Sequence, residues 1–330
     1  MLIILNLSLT GALSEYLIYQ TEFIMMNRRK FIAGTALSST GLVLGSAMTG
    51  CVRSREAEIS VFNIMSEVMK YRKIDAHEHV DLHDGGPDVQ IDYADRLGIE
   101  KIVVSRPVVT PTATPEQFRE ANDHVLNAMK LYPGRILGQV TLNPVYKKES
   151  LEEIDRCTDL GMIGIKVYYQ VKINDPLFYP IIEKSIDLKM LILMHANCQL
   201  GMAGYRMKYD THLNPNTSLP EDFVDAAKRY PEAMFQYAHT GGGGDWEYAC
   251  KALKDYPNIY IDTSGSNNEA NMVDFALKYM GEDRLFFATD SSYFQGVGNI
   301  LSSELNEVQK KKIFFENYNA VLRKGGRDVA

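Results

Sequence analysis

The sequence predicts an α/β fold, specifically a (β/α)8 TIM barrel. Two observations lead to this prediction. Short apolar segments alternate with helix-length patterns over most of the chain, and a histidine or an aspartate follows several of these segments directly. A barrel of this kind typically has about 250 residues, which is close to the length of chain that follows Cys51.

Eight segments have the length and composition of β-strands. They are nearly all apolar rather than alternating, which is typical of parallel strands covered on both faces. Eight strands separated by helix-length gaps fit a barrel better than the roughly six strands of a doubly wound sheet. The predicted strands are Lys73–Ala76, Lys101–Ser105, Ile136–Thr141, Gly164–Tyr168, Met190–Met194, Met234–Ala238, Ile259–Asp262 and Leu285–Ala288.

The composition indicates one catalytic domain and excludes some classes of function. The chain has 330 residues, of which 45% are hydrophobic and 23% are charged, enough for one sizeable core. A formal net charge of -7 argues against nucleic-acid binding, because such proteins concentrate lysine and arginine on one face. The four cysteines form no C-x-x-C pair, which disfavours a disulfide framework or a thiolate zinc site.

The N-terminal region resembles an export signal. Arg28 and Arg29 precede a mildly apolar segment, residues 34–47, which runs into the small-residue sequence that ends at Cys51. This order resembles a twin-arginine signal followed by a lipoprotein box. A disordered tail with a chance pair of arginines is the alternative.

The signal divides the chain into three predicted parts. Residues 1–51 are the extension with its export and lipoprotein signal, residues 52–70 are a linker, and residues 71–330 are the barrel. The mature protein would lie at the cell envelope, on the periplasmic side. A lipid on Cys51 would be its only contact with a membrane, because residues 34–47 are too short to span a bilayer.

The strongest local motif is the sequence IDAHEH, in which His77 and His79 are separated by one residue. Side chains alternate along a strand, so the two histidines should point the same way and Glu78 the opposite way. Two imidazoles that converge in this manner suit zinc. The motif is not H-E-x-x-H on a helix, which disfavours a zinc metalloprotease.

Three further residues follow predicted strands directly, namely His195, His239 and Asp290. The carboxyl ends of all barrel strands meet at one rim, where residues that are distant in sequence converge. A single histidine at a strand end is more often an ordinary hydrogen-bonded residue than a ligand. Five candidates at four strand ends together predict a metal site.

These motifs resemble those of the amidohydrolase superfamily, in its amidohydrolase-related branch of hydrolases, lactonases and non-oxidative decarboxylases. The resemblance spans roughly residues 73–324. It rests on the sequences DAHEH from Asp75, GIKV from Gly164, MHA from Met194, AHTGG from Ala238, DTSG from Asp262, ATDS from Ala288 and ENYNA from Glu316.

The resemblance implies one divalent ion, usually Zn²⁺, held by His77, His79, His195 and Asp290. It also implies that His239 lies beside the reacting water. A bound cation lowers the pKa of its water toward about 7, so hydroxide becomes available at neutral pH. Asp290 and His239 are therefore the expected catalytic residues, with Asp290 taking the proton of the water and His239 orienting or protonating the substrate.

Two basic residues are expected to bind the substrate. Lys166 ends the fourth predicted strand, where two-metal members of the superfamily place a carboxylated lysine that bridges the ions. A second metal would follow if Lys166 were carboxylated, but a substrate-binding ammonium or a salt bridge to a rim carboxylate is simpler. Arg206 lies in the long segment after His195 and suits a carboxylate, although it could be an ordinary surface arginine.

The predicted function is hydrolysis of an ester, lactone or amide bond in a small, carboxylate-bearing molecule through a metal-activated water. The alternative is a non-oxidative decarboxylase that uses the same metal site. An anchored binding protein without activity is disfavoured by the intact set of candidate ligands. The sequence leaves open whether the protein is a homo-oligomer.

Overall fold

A computed structural model describes residues 63–80, 85–196, 214–240, 246–265 and 271–329. The extension at residues 1–51, with its twin arginines and Cys51, lies outside the described residues. Arg206 lies outside them as well. The export signal, the lipid anchor and the role of Arg206 therefore stay predictions.

Eight parallel strands follow one another around the sheet in the order of the sequence, β1 to β8. This confirms the predicted (β/α)8 barrel. The strands are β1 (Ile74–His79), β2 (Lys101–Ser105), β3 (Ile136–Thr141), β4 (Gly164–Val167), β5 (Leu191–Met194), β6 (Met234–Tyr237), β7 (Ile259–Asp262) and β8 (Leu285–Phe286).

Helices lie between the strands. None of the helices in the described part of the chain is long and apolar enough to cross a membrane. They are α1 (Ile64–Met69), α2 (Gly86–Leu97), α3 (Pro115–Leu131), α4 (Lys147–Asp159), α5 (Tyr179–Asp187), α6 (Pro220–Arg229), α7 (Trp246–Leu253), α8 (Met272–Met280), α9 (Tyr293–Leu301), α10 (Glu307–Lys311), a π-helical turn (Lys312–Glu316) and α11 (Asn317–Lys324).

Backbone hydrogen bonds join the first strand to the segment after the last. The N–H of Ala76 donates to the carbonyl of Phe287 at 3.0 Å, and the N–H of Asp290 donates to the carbonyl of His77 at 2.9 Å. The sheet therefore closes on itself at its carboxyl end. This closure places the residues that follow β8 beside those of β1.

The strands separate two apolar layers. On β2, Ile102 and Val104 belong to the large cluster formed with the surrounding helices, whereas Val103 belongs to a smaller cluster that contains Phe286 and Tyr318. This alternation is expected for a strand buried on both faces. The interior of the barrel is thus filled by side chains and leaves functional groups to the carboxyl end.

Five strands have bounds that differ from the sequence prediction, β4, β5 and β6 by one residue and β1 and β8 by more. β1 continues to His79 instead of ending at Ala76, with a register irregularity between Asp75 and Glu78. β8 ends at Phe286 instead of Ala288, because the N–H of Phe287 donates to the carbonyl of Ile313. Such tertiary hydrogen bonds cannot be read from the apolar pattern.

The short helix α1 lies within the segment predicted as a linker and contacts the barrel. Val68 is buried, and the ammonium of the buried Lys73 donates to the carbonyls of Val68 and Tyr71 at 2.6 and 2.8 Å. Burial lowers the pKa of Lys73 to about 8. The two carbonyls give this buried ammonium hydrogen-bond acceptors, which a charge taken out of water requires.

The close packing between β3 and its neighbours can be tested at Gly138. A Cβ atom there would lie 2.6 Å from Met129 Sδ and 2.9 Å from Val125 Cγ1. We expect Gly138→Ala to lower the free energy of unfolding by about 1–3 kcal/mol, measured by urea denaturation, because overpacking forces neighbours to shift.

The control for this test is Gly298→Ala on α9, where an added Cβ meets nothing within 4 Å. Alanine has a higher helix propensity than glycine, so this variant should gain up to about 1 kcal/mol. Equal effects of the two substitutions would show that the region around Gly138 is more loosely packed than the structure indicates.

Candidate metal centre

The five candidate residues lie at the carboxyl end of the barrel. His77 and His79 belong to β1, His195 follows β5, His239 follows β6, and Asp290 follows β8. The ring centroids of His77 and His79 are 5.0 Å apart, which confirms that both point to the same side. The irregularity in β1 is a β-bulge, a feature that commonly changes side-chain direction beside active sites.

The donor atoms of these residues form one cluster. Ligand atoms of His77, His239 and Asp290 lie within 4.8 Å of one another. His79 Nε2 is 3.2 Å from Asp290 Oδ1, and His195 Nδ1 is 2.9 Å from His239 Nε2. The fold thus brings all five predicted residues together.

A buried carboxylate that the sequence analysis did not single out orients two of the histidines. Asp262, at the end of β7, accepts from His77 Nδ1 at 3.1 Å and from the backbone N–H of His239 at 3.0 Å. Gln236 and Ser264 also donate to it, at 2.8 and 2.6 Å. Since Nδ1 of His77 is occupied, its Nε2 is left to face the cluster, an arrangement typical of metal-binding histidines.

The protonation states suit a cation. Burial lowers the pKa of His79 to about 4 and, together with the nearby Lys166, lowers that of His195 to about 3. The pKa of His239 is also far below its ordinary value, first because of burial and then because of the neighbouring histidines. These imidazoles are therefore neutral at pH 7, with lone pairs available.

The carboxylate of Asp290 is ionised. Burial acts to raise its pKa, but the hydrogen bond from His79 and the interactions with the neighbouring histidines outweigh burial and hold the pKa well below the usual range. Neutral imidazoles and one carboxylate are donor types that Zn²⁺ and Mn²⁺ accept. The residues present fit a divalent cation.

Lys166 lies inside this cluster. It is fully buried on β4, and its Nζ is 2.8 Å from His77 Nε2. Burial lowers the pKa of its ammonium to about 8. No carboxylate among the described residues forms an ion pair with it, so the simple rim salt bridge considered for Lys166 is not found in this part of the chain.

Two tyrosines form an aromatic wall beside the cluster, and the sequence analysis did not assign them a role. The ring of Tyr168 stacks on His195 at a centroid distance of 5.9 Å, and its hydroxyl is 3.4 Å from His79 Nδ1. Tyr169 meets His195 edge-on at 5.7 Å. Their position two and three residues after Lys166 was the signal in the sequence.

The backbone is unusual where the candidate catalytic residues lie. His239, Asp290 and Ser291 have φ angles of 65°, 45° and 71°, in the left-handed region that residues other than glycine rarely adopt. Each such residue costs about 1–3 kcal/mol and persists only where the surroundings enforce it. His239 and Asp290 also keep 13% and 26% of their side chains exposed, whereas His77 keeps none.

Comparisons with known proteins agree with this architecture. The sequence profile of a family described as amidohydrolase matches residues 74–317. A 2-amino-3-carboxymuconate-6-semialdehyde decarboxylase from Dictyostelium discoideum is 25% identical over 277 residues, an alignment that covers 72% of this chain and 77% of that protein.

Two solved structures support the fold. A 2,6-dihydroxybenzoate decarboxylase from Rhizobium has a TM-score of 0.61 at 18% identity, covering 77% of this chain and 98% of that chain. A dihydroxybenzoic acid decarboxylase from Polaromonas, with bound manganese and the inhibitor 2-nitroresorcinol, has a TM-score of 0.61 at 19% identity, with coverage of 77% and 97%.

The lowered histidine pKa values predict a pH dependence of stability. The folded protein keeps His79 neutral down to a pKa of about 4, whereas the unfolded chain takes up a proton near 6.5. The unfolded state therefore binds more protons in this range, and stability falls as the pH falls from 6.5 to 4. In chelator-treated protein, the wild type should lose about 1–3 kcal/mol more than His79→Asn over this range.

The free energy of unfolding is measured by urea denaturation at several pH values. The slope of this free energy against pH is then compared between the wild type and His79→Asn. His124→Asn, on α3, is the matched control, because it removes a histidine that lies outside the donor cluster. Identical slopes for all three proteins would contradict a neutral, buried His79.

Proposed function

Since the chain belongs to the amidohydrolase family, we propose that it is a metal-dependent decarboxylase that releases CO2 from a small unsaturated or aromatic carboxylic acid. The observation that carries this proposal is the similarity over 277 residues to a decarboxylase from Dictyostelium discoideum. The donor cluster at the rim of the barrel supports it.

The comparisons favour this carbon–carbon lyase, the alternative of the sequence analysis, over the predicted hydrolysis of an ester, lactone or amide. The donor set by itself suits both reactions, because the same cluster can bind a carbonyl or a carboxylate. The relative and the two compared structures are all named as decarboxylases. Hydrolysis therefore becomes the second outcome of the assay described below.

The proposed ligands are His77, His79, His195 and Asp290. When bound, a divalent ion supplies Lewis-acid chemistry, polarising substrate oxygens and stabilising negative charge that develops during the reaction. One ion per chain is proposed. Zn²⁺ is the ion expected from the resemblance, and Mn²⁺ is bound in the structure from Polaromonas.

One tautomer of His239 leaves a nitrogen of His195 free to coordinate. If His195 Nδ1–H donates to His239 Nε2 at 2.9 Å, Nε2 of His195 carries a free lone pair. His239 then carries its proton on Nδ1, which is 3.4 Å from Asp290 Oδ2. His239 is thus proposed as the group that moves a proton at the donor cluster.

Decarboxylation needs a proton at the carbon that loses CO2. The bond between this carbon and the carboxylate breaks, its electron pair remains on the substrate, and the carbon then takes up the proton. The side chains of His239 and Asp290 are partly exposed, so they can exchange protons with water. We therefore propose that these two residues deliver the proton to the substrate.

Lys166 is proposed to bind the carboxylate of the substrate. A fully buried ammonium without a described counter-ion is costly, and an anionic substrate would provide the missing charge. Tyr168 and Tyr169 would contact the planar part of the substrate, since aromatic side chains pack well against conjugated systems.

Export remains part of the proposal. The arginine pair Arg28 and Arg29 and the lipobox ending at Cys51 support transport to the cell envelope, with a lipid on Cys51 as the contact with the membrane. The small-molecule substrate would then be met on the periplasmic side. Assembly into a homo-oligomer is compatible with this placement.

Metal dependence and reaction type can be measured together. Purified protein should contain about one divalent ion per chain by elemental analysis and should release CO2 from a panel of aromatic and unsaturated carboxylic acids. His77→Ala should lose the ion and at least about 100-fold of the activity, because a direct ligand is removed.

His124→Ala serves as the control and should keep both the ion and the activity. Turnover of lactones, esters or amides without CO2 release would identify the protein as a hydrolase. Folded protein that binds no divalent ion would contradict both reactions.

The role of Lys166 is tested by Lys166→Met. Loss of a charge-assisted hydrogen bond should weaken the binding of an unreactive aromatic carboxylate roughly 10-fold or more, measured by calorimetry, while the metal content stays near one per chain. Lys172→Met, on the same side of the barrel but paired with Asp222 at 2.8 Å, should leave carboxylate affinity unchanged. Two ions per chain, with one lost in Lys166→Met, would instead indicate a bridging carboxylated lysine.

A further inference from the structure

β1 carries two carboxylates in addition to its two histidines. Asp75 and Glu78 are both completely buried. Their side chains do not join the donor cluster but reach the turn that contains Asp290. Neither carboxylate has a role in the proposed reaction, so these buried acids need another explanation.

Both carboxylates hold the residues that flank Asp290. The backbone N–H of Thr289 donates to Asp75 Oδ1 at 3.0 Å, and the Thr289 hydroxyl donates to Asp75 Oδ2 at 2.6 Å. The same hydroxyl also contacts Glu78 Oε1. On the other side of Asp290, the backbone N–H of Ser291 donates to Glu78 Oε1 at 2.5 Å.

The second oxygen of Glu78 has partners of its own. Glu78 Oε2 accepts from Gln90 Nε2 at 3.3 Å and from the backbone N–H of His79 at 3.2 Å. Gln90 also donates to the carbonyl of His79 at 3.1 Å. The position of the Glu78 carboxylate is thus fixed from both α2 and β1.

The turn that these contacts hold has a backbone conformation that would not persist alone. Asp290 and Ser291 follow each other with φ angles of 45° and 71°, which L-residues rarely adopt. In this conformation the carboxylate of Asp290 faces His79 at 3.2 Å and His239 at 3.4 Å. A turn that relaxed to ordinary φ angles would carry this carboxylate out of the donor cluster.

We propose that Glu78, assisted by Asp75, is a positioning residue that holds the turn at residues 289–291 and thereby aims Asp290 at the metal. This inference rests on the proposed metal centre. In this arrangement β1 has two functions. It supplies the ligands His77 and His79, and its two carboxylates orient a third ligand, Asp290.

The experiment compares three variants of the full chain. Glu78→Ala removes the acceptor of the Ser291 N–H, whereas Glu78→Gln keeps one oxygen that can accept it. Glu153→Ala is the matched control, because Glu153 is another completely buried glutamate that accepts from Asn122 at 2.9 Å and Arg156 at 2.6 Å, on α4. Removal of the Glu153 carboxylate should destabilise the protein without altering the turn at residues 289–291.

Two quantities are measured on each protein. The first is hydrogen exchange of the metal-free protein in peptides that cover residues 287–292. The second is the affinity for Mn²⁺ alone, by calorimetry after treatment with a chelator. Thermal unfolding in parallel shows that each variant is folded at the temperature of the assay.

Glu78→Ala should exchange these amides faster and bind Mn²⁺ about 10- to 100-fold more weakly, the usual effect of losing a residue that orients a ligand. Glu78→Gln should recover most of both losses. Glu153→Ala should lower the unfolding temperature while leaving the exchange at residues 287–292 and the Mn²⁺ affinity near those of the wild type.

Unchanged exchange in folded Glu78→Ala would overturn the inference, as would an equal loss of affinity in Glu153→Ala. If the wild type itself bound no Mn²⁺, the proposed metal centre would fail. The exchange data would still show whether Glu78 holds the turn, so the two failures can be distinguished.

Discussion

The backbone hydrogen bond from Asp290 to His77, 2.9 Å long, is the contact on which the site depends. It joins the segment after β8 to β1 and so closes the barrel. Without closure, the histidines of β1 would lie at the opposite edge of the sheet from Asp290. With closure, ligand atoms of His77, His239 and Asp290 lie within 4.8 Å of one another.

Burial determines the electrostatics of this site. In a region of low polarity, an imidazole stays neutral and a carboxylate stays ionised only if hydrogen bonds or opposite charges stabilise it. Asp262 receives five such hydrogen bonds, and Asp290 is held by His79 and His239. The result is a cluster of lone pairs and negative charge, which suits a bound cation.

The donors define a metal centre but not a reaction. Folds of this kind support several chemistries on one set of ligands, and the difference lies in how the substrate is oriented. In the described part of the chain, Lys166, Tyr168 and Tyr169 on the β4 side of the site are the residues proposed to orient the substrate. An ammonium next to aromatic rings favours planar acids, in agreement with the decarboxylases that the chain resembles.

The sequence by itself determined the architecture and the candidate donors. Parallel strands buried on both faces produce apolar segments, and the rule that strand ends converge in a barrel brought five distant residues into one hypothesis. Both inferences need only local patterns and one topological rule. The bounds of β2, β3 and β7 are those predicted from the apolar segments.

Only the tertiary structure decided how these residues meet. The bulge in β1, the early end of β8 and the left-handed φ angles of His239 and Asp290 arise from hydrogen bonds between residues that are remote in sequence. The partnership of Asp262 with His77 and the turn held by Glu78 are of the same kind. Spacing along the chain does not encode such contacts, because they depend on strand register and on barrel closure.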